Sequence, residues 1–452
     1  MALIFKEKVR ELVGRRYDPE FVWFRRRQKS FRYPAVSLGK LISARPEYGA
    51  AEPGIEREDS SQVRYVRITD IDEHGVLSSD LGATVENVDP KYLLATGDVL
   101  FARSGNTVGK CYCHDSSLIG YPCLYAGYMI RFRFGKDVLP KFVFAFAQTP
   151  YFHEWVAAVR RAAGQPNINA QEYSDIEIPL PPLPVQRKLV AELDAAYAAK
   201  RVADRHAAAL LASIDDMVMD ELGIAKLPLR DDSLSARIFM TPLREMVGGR
   251  LDADAYQRER MNFYRNVRAG KFVAENLSSL VEVRRDQTDE VIGRAYVGLE
   301  NINGEDGSCI STDNKETCSM AVLFTKGQIL FPKLRPYLNK VWMAEFEGVA
   351  STEFIPLKPT GICAEYLTVF LRMRVVAETM SVLMTGNTLP RVQLEDVLSL
   401  PIPVPPMPIQ QKIARLANEI KTKAKRMRNV AVEQLAATKK RVEEELMGKG
   451  EC

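Results

Sequence analysis

Residues 166–189 read Pro166-Asn-Ile-Asn, then Glu172, then Ile178-Pro-Leu-Pro-Pro-Leu-Pro-Val-Gln-Arg-Lys-Leu, and the phrase returns as Pro390-Arg-Val-Gln, Asp396 and Ile402-Pro-Val-Pro-Pro-Met-Pro-Ile-Gln-Gln-Lys-Ile. Each copy runs directly into a long proline-free segment. The shift from Ile178 to Ile402 is 224 residues, far beyond the period of solenoids and propellers. Each repeat is therefore expected to be a whole domain followed by a spacer.

Fainter matches extend the repeat upstream in the same order. Tyr65-Val-Arg-Ile-Thr-Asp-Ile pairs with Tyr296-Val-Gly-Leu-Glu-Asn-Ile, and Gly97-Asp-Val-Leu-Phe-Ala-Arg with Gly327-Gln-Ile-Leu-Phe-Pro-Lys. Lys110 and Lys340 close the second pair, and Arg16-Tyr-Asp-Pro-Glu echoes Arg250-Leu-Asp-Ala-Asp. Any one match could be chance, but their shared order points to tandem duplication.

The 452 residues are 46% hydrophobic and 27% charged, as in an ordinary globular chain, and the net charge of +4 is only weakly basic. No run of 18 apolar residues offers a membrane span, and the start lacks the apolar core of a signal peptide. Seven cysteines without framework spacing suit a reducing cytoplasm. Cys111, Cys113, His114 and Cys123 could supply soft ligands to zinc. The C-x-C spacing is tighter than usual and the second half has no counterpart, so packed thiols are the preferred reading and no metal is expected.

Each half divides into a globular part and a helix. Short β-type runs at 63–68, 98–102, 128–134, 295–299 and 328–331 alternate with helical stretches at 140–161 and 364–384. The fold class is therefore α+β, with two similar mixed α/β domains. Proline-rich hinges at 179–184 and 401–408 are expected to stop strand and helix alike. Beyond them, Leu189, Leu193, Ala196, Ala203, Ala207, Leu210, Ile214 and Met217 keep a narrow coiled-coil seam, as do Ile413, Ala417, Ile420, Ala424, Met427, Ala431, Thr438, Val442 and Leu446.

Charge orients the two helices. Lys412, Arg415, Lys421, Lys423, Lys425, Arg426 and Arg428 make the start of the second helix basic, while Asp204, Asp215, Asp216, Asp220 and Glu221 make the end of the first acidic. Arg187 and Lys188 at the start of the first likewise face Glu443-Glu-Glu445 at the end of the second. Antiparallel pairing sets opposite blocks together, and parallel pairing would oppose like charges. A pseudo-twofold molecule with a domain at each end of a rod follows. At 1.5 Å per residue the rod is about 55 Å long, or about 16 base pairs of duplex.

The paired Gly164-Gln-Pro-Asn-Ile-Asn…Ile-Pro-Leu-Pro-Pro-Leu and Gly386-Asn-Thr-Leu-Pro…Ile-Pro-Val-Pro-Pro-Met, each leading to a long helix, resemble the DNA specificity subunit of type I restriction–modification systems over essentially the full length. Val185 and Ile409 stand where that family usually has Glu before the Gln. The resemblance implies target recognition domains at 1–179 and 224–402, a central spacer helix at 180–223 and a C-terminal spacer helix at 403–452. Each domain would read one half of a split DNA target in the major groove. The helices would set the spacing and dock two copies of an adenine-methylating modification subunit. No cofactor is implied for this chain: S-adenosylmethionine would belong to the modification partner, ATP and Mg²⁺ to restriction subunits that could also join.

Side chains suited to duplex DNA fall in matching places. Arg103, Ser104, Asn106 and Lys110 follow a strand on a glycine-flexible turn, and Lys333, Arg335, Tyr337, Asn339 and Lys340 take the same place in the second half. Arg and Lys suit guanine edges or phosphates, and Asn suits adenine. The bland alternative is an ordinary solvated loop, weakened by the equivalent placement in both halves. Gln165, Asn167, Asn169 and Asn387, Thr388, Arg391 form a second set, in which loop and helix capping is preferred over base reading. Thr69, Asp70, Glu300 and Asn301 are weaker candidates, and Arg25, Arg26, Arg27, Lys29 and Arg32 suit phosphate neutralisation or simple solvation.

A catalytic reading finds little support. No Asn/Asp-Pro-Pro-Tyr/Phe or Phe-x-Gly-x-Gly motif occurs. Gly105-Asn-Thr-Val-Gly109-Lys110-Cys111 is one residue short of a phosphate loop and has Cys where Mg²⁺ coordination needs Ser or Thr. A methyltransferase or nuclease with unrecognised motifs and a pure coiled-coil scaffold remain the competing classes. The paired cationic loops argue against the scaffold.

Overall fold

A computed structural model describes residues 19–27, 30–72, 74–78, 80–105, 107–160, 166–227, 252–284, 286–313, 320–386 and 388–448, with Ile238, Met240 and Pro242. The chain forms two compact units, residues 1–202 with 429–452, and residues 203–428. Each unit holds one globular domain and one half of each long helix.

In the first unit, one antiparallel sheet runs in the order Glu47–Tyr48, Met129–Phe132, Val99–Ala102, Cys111–Cys113. Met129–Phe132 and Val99–Ala102 are buried along their whole length, which suits their apolar residues, while buried Arg131 pairs with Glu47 and Asp98. A second sheet runs Ile55–Glu56, Ala83–Thr84, Arg64–Val66, Cys123–Tyr125, its last pair parallel. Arg64 is fully buried and donates to the carbonyls of Ser78 and Asp80, the Tyr121 hydroxyl, and the side chains of Ser78 and Asp80, so its charge does not lie bare. Helices Pro140–Phe146 and Pro150–Val159 complete the core. The sequence expectation of one helix over 140–161 is corrected here. The chain breaks at Gln148–Thr149 because Pro150 cannot continue a helix and Thr149 caps the new one through Phe152 N–H.

The second unit repeats this plan. Its antiparallel sheet runs Val281–Val283, Phe354–Pro359, Ile329–Pro332, Trp342–Met343. Its other sheet runs Gln287–Thr288, Ala321–Phe324, Gly348–Ser351, Tyr296–Val297, again with one parallel pair. One adjacency differs between the copies: Ala83–Thr84 pairs with Arg64–Val66, whereas Ala321–Phe324 pairs with Gly348–Ser351. The stretch expected as one helix over 364–384 is two, Ala364–Leu371 and Arg374–Val382.

The proline-rich hinges do not stop strands as expected. Glu177–Pro179 pairs with Ala35–Ser37, and Pro401–Pro403 with Ala274–Asn276, each a two-stranded antiparallel ribbon. A ribbon with free edges tolerates prolines that lack an N–H. The long helices then start at Leu183 and Met407, and Pro184 and Pro408 sit in their first turns, where no intrahelical N–H bond is lost.

The repeated Gln explains why the phrase recurs. Gln186 donates to the carbonyls of Pro181 and Asp137 and accepts from Leu139 N–H at 2.8 Å. Gln410 donates to Pro405 and accepts from Cys363 N–H at 2.8 Å. Both are buried, and both clasp the hinge to the residue that precedes an equivalent helix, Pro140–Phe146 or Ala364–Leu371.

The two long helices, Leu183–Leu222 and Met407–Leu446, pair antiparallel as a coiled coil, visible inside each unit. In the first unit Leu189 shares a core with Val442 and Leu446, and Leu193 and Tyr197 pack with Leu435. In the second, Ala207 through Leu222 pack with Ile413, Ala417 and Ala424. The expected seam is largely realised, with Tyr197, Leu211 and Val218 buried beyond it. The charge blocks are only partly used between helices. Lys412 Nζ lies 2.6 Å from Glu221 Oε1, but Asp216 pairs with Lys226, and Glu445 with Arg32. Exposed pairs add little strength, so their role is orientation.

Candidate nucleic-acid interface

In each domain a sheet strand ends in the first candidate loop, and that loop is stitched to the second candidate set. Strand Val99–Ala102 delivers Arg103, whose carbonyl accepts from Ile168 N–H at 2.8 Å, while Gly105 N–H donates to Pro166 O at 3.0 Å. Strand Ile329–Pro332 delivers Lys333, whose carbonyl accepts from Val392 N–H at 3.0 Å, while Arg335 N–H donates to Pro390 O at 3.1 Å. The bridges Ser104↔Asn167 and Leu334↔Arg391 complete the equivalence. Two sets of residues that looked separate in sequence are one surface in each domain.

The positions bonded to Pro166 and Pro390 share a left-handed backbone. Gly105 has φ +80°, free of cost for glycine, but its counterpart Arg335 has φ +48°. Asn339, at φ +51°, closes the turn Pro336–Leu338. A non-glycine residue there costs on the order of 1 kcal/mol. Arg335 is exposed, and Tyr337 is 48% exposed beside it.

The other candidates differ in how far their polar groups are already committed. The Arg103 guanidinium lies 4.7 Å from the Tyr48 ring centre, and its buried Nε has no acceptor. Lys110 Nζ donates to Ile71 O at 2.8 Å and Lys340 Nζ to Leu299 O at 2.7 Å, so each ammonium braces a neighbouring turn. Asn339 Nδ2 donates to Arg372 O and its own carbonyl accepts from Arg372. Arg391 makes a two-pronged ion pair with Glu353 at 2.7 and 2.9 Å, which holds the Glu353 carboxyl below its usual range. Asn169 caps helix Ala170–Asp175 in a reciprocal pair with Glu172, the capping role preferred from sequence. Thr388 is exposed.

Asp70 and Asn301 are buried and close equivalent tight turns onto Arg67 N–H and Gly298 N–H. Asn106, Gln165, Asn387 and Lys29, the side chains of Arg26 and Arg27, and the Arg16 and Arg250 echoes lie outside the described residues. Sequence reasoning missed Tyr48 and Glu353, which orient Arg103 and Arg391. Neither falls in a repeated motif, so only the folded chain brings them in.

Cys111 and Cys123 belong to separate cores, and the His114 ring contacts Tyr112 and Ser116 hydroxyls. Among the described residues no three His, Cys, Asp or Glu side chains converge as a metal site, and no helix is long and apolar enough to cross a membrane.

Duplicated α+β domains with matched loop faces and paired helices define a tandem-repeat protein, and comparison with known proteins supplies its family. The family model of the type I restriction modification DNA specificity domain matches residues 53–202 and 283–430, one copy in each half. The chain belongs to this family. It is 31% identical over 97 residues to the type I restriction enzyme EcoDI specificity subunit of Escherichia coli, a match spanning 22% of either chain. It is also similar to the crystallised HsdS subunit from Thermoanaerobacter tengcongensis, at 16% identity, TM-score 0.35, and coverage of 92% of this chain and 97% of that one. The type I restriction–modification S subunit from M. genitalium gives 11% identity, TM-score 0.39, and coverage of 94% and 98%.

Proposed function

We propose that this chain is the DNA specificity subunit of a type I restriction–modification complex, each domain reading one half of a bipartite target. The observation that carries the reading is the twice-built loop face: one strand end, one left-handed residue and one pair of backbone bonds to the Pro166 and Pro390 segments. Arg335 and Tyr337 stand clear in the second domain, and Arg103 lies across Tyr48 in the first. Guanidinium groups on rigid, strand-anchored loops suit guanine edges and phosphates. The chain itself is non-catalytic in this reading. Two modification subunits dock on the helices and bring S-adenosylmethionine, restriction subunits bring ATP and Mg²⁺, and the complex works in the cytoplasm.

Methylation mapping of the chain with its modification partner tests this. The expected product is methyladenine in two half-sites at one fixed spacing. Arg103→Ala should relax one half-site and Arg335→Ala the other, each by about tenfold or more. A single continuous motif, or equal loss at both half-sites from either variant, would exclude two separate readers.

A further inference from the structure

The two domains differ at one place where their plan is otherwise equivalent. In the first unit, Phe144, Gln148, Leu193 and Tyr197 fill the space between helix Pro140–Phe146 and the first long helix, with Lys439 5.6 Å from the Tyr197 ring centre. The residues 224 further along are Thr368, Arg372, Ala417 and Lys421. The register is secure, because the Gln186 and Gln410 clasps obey the same offset. Exchange of two aromatic rings and a leucine for threonine, lysine and alanine removes bulk from the interior. A cavity of about 590 Å³ lies there in the second unit, lined by Thr368, Arg372, Lys421, Trp342, Asn418 and Thr422 among others.

That cavity sets four cationic side chains, Arg372, Arg415, Lys421 and Lys425, against three acids, of which Asp306 attracts both Arg372 and Lys421. Lys421 has no hydrogen bond or ion pair among the described residues, and burial beside Arg372 pushes its ammonium down to about 8. Arg372 is buried and donates only to the carbonyls of Asn339, Val341 and Gly304. Trp342 is 1% exposed, and its indole N–H has no acceptor. Lys425 adds charge at the lining, as does Arg415, which lies 3.9 Å from Glu419. The acids present are Asp306, Glu345 and Glu365. Asp306 accepts from Ser308, and Glu365 is engaged by the Cys363 thiol. Half-buried Lys421 and buried Arg372 repel one another, and Asp306 offsets only part of that cost. One dianionic group shared between them removes that cost, and the volume suits a small molecule rather than a lone ion.

We propose that this cavity of the second domain is a binding site for a small phosphate-bearing molecule of mononucleotide size, its phosphate held by Lys421 and Arg372. In the first domain Tyr197 and Phe144 fill the equivalent space. The site does not rest on the DNA-reading role, although Arg372 also bonds to Asn339 of the candidate recognition loop.

The chain has three tryptophans, so its indole N–H signals in a ¹⁵N-labelled full-length sample are few, and Trp342→Phe assigns the relevant one. Inorganic phosphate and adenosine monophosphate are titrated at constant ionic strength, with chloride as control. The expected result is a saturable shift of the Trp342 signal, tighter for the nucleotide, and weakened at least tenfold by Lys421→Met. With sulfate, which does not titrate in this range, binding should weaken as pH rises through about 8 and Lys421 loses its proton. An unmoved Trp342 signal in the native chain overturns the proposal whether or not the variant folds. So does an undiminished response in folded Lys421→Met, or a shift produced by duplex DNA alone. Methylation of bipartite DNA is scored separately, so either idea can fail without the other.

Discussion

Gln410 shows how much a single buried amide can hold. Replacement by Leu strands Cys363 N–H and the Pro405 carbonyl together. Loss of about 1–3 kcal/mol is expected, read as a lower unfolding midpoint, and Gln186→Leu should do the same in the first domain. Asp215 makes the opposite case. Its carboxyl is raised to about 6, chiefly by burial, although it accepts from Arg374 N–H at 2.7 Å. Its charged form is thus disfavoured in the folded state relative to the unfolded one. Between the unfolded value of 3.8 and about 6 the native state binds more protons, so stability falls as pH rises through that window. Asp215→Asn keeps an acceptor for Arg374 without the charge. It should stabilise by about 1–2 kcal/mol at pH 8 and lose that advantage by pH 4, as denaturation at the two pH values would show.

Among elements, the paired helices depend on small residues at their contact. Ala417 and Ala424 are buried in the second unit's core. Ala417→Leu should overpack the seam and destabilise by about 1–3 kcal/mol, measured by thermal unfolding, whereas the exposed neighbour Asn418→Ala should be nearly silent to stability. These helices were legible in the sequence because heptad spacing is a local pattern that burial must obey. The breaks at Gln148–Thr149 and Arg372–Met373 were passed over because apolar content runs through both, although Pro150 marks the first; at the second, Met373 makes no side-chain cap. The loop faces were half legible: residue chemistry marked them, but the bonds that join Gly105 to Pro166 and Arg335 to Pro390 link chain segments over fifty residues apart, and no local pattern records them. Lys110 and Lys340 illustrate the cost of that blindness. They recur in both copies because each braces a turn, a role that sequence alone cannot separate from phosphate binding.

At the level of the whole molecule, the junction that follows each long helix is built alike. Lys271 N–H donates to Leu222 O in the second unit, and Arg32 N–H to Leu446 O in the first. Gly448 N–H also reaches Ser30 O at 2.7 Å, a second bond between these two segments of the first unit. A permuted chain that joins Cys452 to Met1 and opens between Leu227 and Asp252 should therefore fold, with a circular dichroism spectrum and half-site pattern like the parent's. Failure to fold would show that the covalent link at 222–271 carries more than its hydrogen bonds suggest. The glutamine clasp has a further consequence for inheritance. Because Gln186 and Gln410 meet the adjoining domain through backbone groups, a foreign domain can be spliced in if it offers that backbone at the same height and an apolar face for the long helix. Diversity of readers and constancy of frame are thereby uncoupled at this joint.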